Sequence, residues 1–126
     1  MTNIEKVVEF IAKWEARDAD GIVSTFAEDP IYHNIPMGPL TSKQSIREFV
    51  EPFLGPVTRV EWQVLFIAED ENGVVLTERV DIFEFGDKRV SLPIMGTFEF
   101  EGDKLKRWRD YFDLADFEAQ MAALQD

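Results

Sequence analysis

Tyr32 and Asn34, Arg79 and Asp81, and Asp110 are the side chains of this sequence best suited to chemistry. In each of the two close pairs the partners stand two positions apart. On an extended strand they therefore project to the same side. One cation, two carboxylates and two neutral hydrogen-bonding groups, each set among aromatic and aliphatic residues, are unfavourable to bury, and such burial usually marks chemistry. A single arginine cannot neutralise two carboxylates. In a low-dielectric pocket one aspartate is expected to hold a proton at neutral pH, which supplies an acid and a base together. Beside a base, Tyr32 and Asn34 suit the holding of a water molecule in line with the bond to be broken. Plainer readings exist for the same residues. Arg79 could form a buried ion pair with Asp81 or Asp110, a weak stabiliser once desolvation is counted. Tyr32 could be an ordinary strand residue, and Asn34 a turn-former ahead of Pro36.

Elements of matching period surround these positions. Ile4, Val7, Val8, Ile11 and Trp14 make a helical stripe, and Thr2 with Glu5 predicts a capping box at its start. A short second helix after Asp18 is expected to turn Ile22, Val23 and Phe26 inward and to stop at Pro30, with a brief strand over 31–35. A third helix begins near Thr41 or Ser42, with Gln44 offering another capping box. It carries Ile46, Phe49, Val50 and Phe53 and is expected to end at Pro52 and Gly55-Pro56. From Val57 the period changes to two. Strands are predicted over 57–69, 74–85, 89–100 and 104–112, joined by short turns that make neighbours antiparallel. A closing helix after Asp113 aligns Leu114, Phe117, Met121 and Leu124. The strand over 74–85 is apolar on both faces, which predicts cover on both sides. Helices followed by long antiparallel strands give an α+β fold, with helices on one face of a curved sheet and a small-molecule pocket beneath them.

Composition narrows the function. The 126 residues fit one domain over 1–126, and 45% apolar content with eleven Phe and three Trp supplies a core with aromatic volume to spare. A net charge of −12 disfavours nucleic acid and anionic lipid as partners. No cysteine is present, so disulfides and thiolate chemistry are excluded. The one histidine, His33, faces away from Tyr32 and Asn34 on a strand and is read as structural or surface. Neither a secretion signal nor a membrane helix is legible, so a soluble cytoplasmic protein is expected.

The segments Tyr32-His33-Asn34-Ile35-Pro36, Thr77-Glu78-Arg79-Val80-Asp81 and Trp108-Arg109-Asp110-Tyr111-Phe112-Asp113-Leu114, in this order and at these separations, resemble the limonene-1,2-epoxide hydrolase family. The likeness includes the first helix and Leu92-Pro93-Ile94-Met95-Gly96, and the extra N-terminal segment of some relatives is expected to be absent. It implies the cone-shaped α+β fold of the nuclear transport factor 2-like superfamily, with a curved, mixed, mainly antiparallel sheet and helices on its concave face. It also implies a homodimer through the open sheet face and no metal or organic cofactor. On the resemblance, Asp110 is the general base, Tyr32 and Asn34 hold the water, Asp81 is the protonated acid, and Arg79 bridges the carboxylates. Water would attack the epoxide directly, without an ester on the enzyme. Trp62 or Leu65, together with Phe83, Ile94, Met95, Trp108 and Phe112, are expected to form walls for a lipophilic epoxide. Two other readings remain open. One is an epoxide-opening cyclase or ketosteroid-isomerase-like enzyme; the other is a non-catalytic lipophile-binding module.

Overall fold

The computed structural model describes residues 1–125. Helix α1 (Asn3–Glu15) opens with the expected reciprocal cap: Glu5 N–H donates to the Thr2 hydroxyl, and Thr2 N–H donates to the Glu5 carboxylate. It buries Val7, Phe10, Ile11 and Trp14. Helix α2 (Ala19–Thr25) is capped by Asp18 and buries Ile22 and Val23. It stops well before Pro30, because strand β1 (Phe26–Asn34) begins at Phe26 and runs through the proline. That proline is tolerated because β1 is an edge strand and its register slips between Phe26 and Ile31.

Helix α3 (Lys43–Leu54) also departs from expectation twice. Its N-cap is Ser42, so the residue three on is Ser45, and Ser45 rather than Gln44 closes the capping box. Pro52 lies inside the helix, which continues to Leu54 because Leu54 is buried in the core beyond it. Four strands follow: β2 (Arg59–Glu69), β3 (Val75–Phe85), β4 (Lys88–Glu101) and β5 (Lys104–Tyr111). Helix α4 (Leu114–Ala123) is the last element among the described residues.

The sheet order is β1-β5-β4-β3-β2, with β1 parallel to β5 and every other pair antiparallel. This mixed, mainly antiparallel α+β architecture is the one expected. The crossover brings the first strand beside the last, in the register Tyr32↔Trp108 and Asn34↔Asp110. Cross-strand pairing then continues Gly96↔Asp110 and Thr77↔Gly96. Residues far apart in the chain thus share one patch of sheet.

One sheet face carries the core, where α1, α2 and α3 contribute Phe10, Trp14, Ile22, Ile46 and Val50 against Trp62, Val75, Phe98 and Trp108. The other face corrects the expectation of two-sided cover. Leu65, Phe66, Leu76, Met95 and Tyr111 on it are exposed, between 40% and 71%. Helix α4 works differently, since β5 pairs with β4 only as far as Met95 and leaves the start of β4 without a neighbour on that side. There Gln120 accepts from Ser91 N–H at 2.8 Å and donates to the Ser91 carbonyl at 2.9 Å, standing in for a missing strand. Among the described residues no helix is long and apolar enough to cross a membrane.

Candidate active site

Arg79 is fully buried in the middle of the covered sheet face, and every one of its N–H groups has an acceptor. Nε donates to Asp81 Oδ1 and Nη2 to Asp81 Oδ2, both at 3.0 Å. Nη2 also donates to Asp110 Oδ2 at 2.8 Å, and Nη1 to Asp110 Oδ1 at 3.2 Å. The remaining Nη1 proton goes to the Thr77 hydroxyl at 3.0 Å, and that hydroxyl donates to the Gly96 carbonyl at 3.3 Å. The guanidinium carbon lies 4.6 Å from the Trp62 ring centroid, so the flat face of the cation is covered as well. A planar fork between two carboxylates is an arrangement that arginine fills and lysine does not.

The carboxylates are 2% exposed each. Burial pushes Asp81 up to about 6 despite the opposing pull of Arg79, with the negative charge of Asp110 adding to the rise. Burial also works against the Arg79 charge, but the two aspartates outweigh it and hold its pKa above the ordinary value. Tyr32 is raised by burial and then by the Asp110 charge, with its hydrogen bond to Asn34 opposing, so it stays a neutral phenol. Trp108 was expected only as a wall, and it does more. Its indole N–H donates to Asp110 Oδ1 at 2.8 Å, and its ring stacks on Tyr32 at 4.2 Å and 3°. Asp110 Oδ1 therefore takes two donors and Oδ2 one, which leaves Oδ2 the oxygen with capacity to spare.

Tyr32, Asn34, Asp81 and Asp110 line one cavity of about 60 Å³, room for a water or two. Arg79 is not in its wall and grips both carboxylates from behind. Of the expected walls, Trp62, Phe83, Ile94, Trp108 and Phe112 are present. Leu65 and Met95 are not: they are 51% and 53% exposed and border a groove on the opposite sheet face. Met95 follows Ile94, and consecutive strand residues cannot share a face. Leu65 is the extra residue of a bulge between Val64 and Phe66. The helices and the loop after β1 supply walls that the strand pattern does not reveal: Trp14, Met37, Phe49, Phe53 and Phe117. His33 bonds the Met37 carbonyl at 3.0 Å and takes no part in the cavity wall.

Thr77 and Gly96 are the polar-network residues that sequence pattern alone misses. A Cβ on Gly96 would overlap the Asp110 carboxylate and approach Arg79 Nη1 to 2.8 Å. Gly96→Ala is therefore expected to displace Asp110 and lower kcat at least about tenfold, with a smaller change in KM. Steady-state kinetics check it, and unchanged kinetics would show that the carboxylate is not held by this contact.

A sequence profile of the limonene-1,2-epoxide hydrolase catalytic domain matches residues 1–123. Epoxide hydrolase EphG of Mycobacterium tuberculosis (strain ATCC 25618 / H37Rv) is 28% identical over 111 residues, which is 87% of this chain and 72% of that protein. The solved structure of an M. tuberculosis LEH-like epoxide hydrolase superposes with a TM-score of 0.81 at 28% identity, covering 97% of this chain and 91% of the other. The epoxide hydrolase/cyclase-like enzyme SalBIII, at 17% identity and a TM-score of 0.80 over 90% of this chain and 92% of its own, shares the fold. With the profile matched from end to end of the described architecture, the chain belongs to the limonene-1,2-epoxide hydrolase family.

Proposed function

We propose that the protein hydrolyses a lipophilic epoxide to a vicinal diol in one step. The observation that carries this reading is a single buried guanidinium bridging two carboxylates in the wall of an apolar cavity, with Tyr32 and Asn34 beside them. Tyr32, Asn34 and Asp110 hold a water molecule. Asp110 takes its proton as the water oxygen attacks an epoxide carbon. The C–O bond breaks on the far side, and Asp81 gives its proton to the leaving oxygen, which becomes the second hydroxyl. Asp110 then carries the proton that Asp81 has lost, and exchange with solvent restores the starting state. Opening an epoxide generates a strong base, so a neutral carboxylic acid at the leaving oxygen is the right partner. The raised pKa of Asp81 supports that role, and the family relationship to EphG supports the reaction class. The scheme uses no metal or cofactor.

A ring-sized epoxide exceeds the cavity of about 60 Å³, so it must extend through the open mouth or displace side chains there. Met37, on the loop after β1 and 40% exposed, is the wall residue with the most freedom. A single turnover in ¹⁸O-water tests the mechanism. One-step attack puts the solvent label into the first diol formed, whereas an ester intermediate puts unlabelled protein oxygen there. A cyclase or isomerase gives no labelled diol at all.

The free enzyme should lose kcat/KM as pH rises past about 6, because the proton on Asp81 is then lost. That limb belongs to the coupled Asp81–Asp110 pair rather than to one residue. A pH–rate profile flat from 5 to 8 would contradict the proposed acid. We further propose that two copies pair through the exposed sheet face bearing Leu65, Phe66, Leu76, Met95 and Tyr111. Phe66→Glu should convert a dimer into a monomer in sedimentation experiments, and a monomeric wild type would dispose of the idea.

A further inference from the structure

Among the described residues that line the cavity, Met37 alone is exposed, and the others are buried or half-buried. A side chain that borders both the hollow and solvent stands at the mouth. The loop that carries it is held at few points. At its base Tyr32 N–H donates to the Leu40 carbonyl at 2.9 Å, and Leu40 N–H donates to the Tyr32 carbonyl at 2.8 Å. Ile35 N–H donates to the Asp110 carbonyl at 2.8 Å, which ties the start of the loop to β5. Met37 N–H donates to the Asn34 carbonyl at 2.7 Å and closes a turn. Beyond Met37 the contacts thin out, since a Cβ on Gly38 would meet nothing within 4 Å. The carbonyl of Met37 is held by a side chain, His33, whose Nε2 lies 3.0 Å away. A carbonyl oxygen only accepts, so the ring nitrogen is the donor. The one histidine of the chain therefore pins the backbone of the one exposed wall residue.

We infer that Met37 sets how large an epoxide the site accepts, and that His33 is a positioning residue that acts through it by holding the turn across the mouth. This rests on the epoxide hydrolase reading. Methionine is unbranched and turns about three side-chain bonds, so it adapts to a passing ring while its backbone stays in place. With the backbone pinned, only that rotation is open to it. Without the pin, the whole residue retreats and the mouth widens. Substrates are then sorted by girth at the entrance, apart from the carboxylates that act on every epoxide alike. A pocket edge of this kind discriminates steeply, because a single methylene that does not fit changes kcat/KM about tenfold or more.

The test compares cyclooctene oxide with cyclopentene oxide, which share a reacting centre and differ in ring size. The ratio of their kcat/KM values, large over small, is expected to rise at least about tenfold in Met37→Ala. In His33→Ala it should rise about two- to fivefold, the worth of one exposed hydrogen bond. His33→Gln, which keeps a donor near the position of Nε2, should restore the wild-type ratio. In the Met37→Ala background, His33→Ala should change the ratio no further, because its effect passes through Met37. Disturbance of neighbouring Asn34 slows both substrates together and cancels. A second measurement needs no turnover: cyclooctanol and cyclopentanol are titrated against the fluorescence of the tryptophans in the wall, Trp14, Trp62 and Trp108. The same shift toward the larger ring in the ratio of Kd values supports the mouth role even where no epoxide is hydrolysed. A ratio that stays or falls in folded Met37→Ala overturns the proposal, as does a His33→Ala effect that persists undiminished without Met37.

Discussion

Replacing Asp110 by asparagine is expected to lower kcat at least about 100-fold, equivalent to about 3 kcal/mol of lost transition-state stabilisation. The amide cannot take a proton from water, so water must attack with no base beside it to accept that proton. Geometry adds a second effect. Three donors converge on this side chain, Arg79 Nη1, Arg79 Nη2 and Trp108 Nε1. Asparagine offers one oxygen where aspartate offers two, and a buried donor is left facing an NH₂ group. A fall of several degrees in Tm should accompany the loss of rate. Circular dichroism and kinetics on the same sample separate the two, and more than about a tenth of the wild-type rate in a folded variant would remove Asp110 from the chemistry.

Asp81→Asn should also cost at least about 100-fold in kcat, with a different signature. Asparagine has nearly the shape of the protonated acid but no proton to give. The alkaline limb near 6 should be lost from the residual activity, because the coupled carboxyl pair that titrates there is broken. Stability should respond too. Asp81 rises from 3.8 in the unfolded chain to about 6 in the fold, so the native state binds its proton more tightly. Its contribution is complete below the unfolded value and is lost as pH climbs through the folded one. Wild type should therefore lose stability relative to Asp81→Asn between pH 4 and 6.5, measured by denaturant unfolding. A stability difference independent of pH would mean that Asp81 is not held in its neutral form by burial.

Much of the network could be read before any coordinates, because period two is unambiguous in a long strand. Arg79 and Asp81 had to share a face, as did Trp108 and Asp110, and their apolar neighbours announced burial. Strand order was less accessible. The parallel contact of β1 with β5 places Tyr32 and Asn34 beside Trp108 and Asp110, and no local pattern encodes a pairing across that much chain. Gly96 and Thr77 escaped for the same reason: their role exists only once β3, β4 and β5 are in register. Leu65 stands three positions after Trp62, an odd separation that puts the two on opposite faces, and the bulge at Leu65 changes the face only of the residues that follow it. Pro30 and Pro52 misled because proline's penalty depends on whether its missing N–H had a partner, and that is settled by position in the sheet or helix. The helical walls, Trp14, Phe49, Phe53 and Phe117, were visible as apolar stripes, but a stripe does not distinguish filling a core from lining a hole.

The saturated guanidinium has an evolutionary consequence. With every proton of Arg79 committed to Asp81, Asp110 or Thr77, and with Gly96 leaving no space beside them, this cluster has no slack to absorb a lone exchange. Substitutions here should show strong epistasis, since residues sharing one network depart from additivity where distant ones do not. Lineages that alter the reaction would then change these positions as a block, while the greasy walls around them drift one residue at a time.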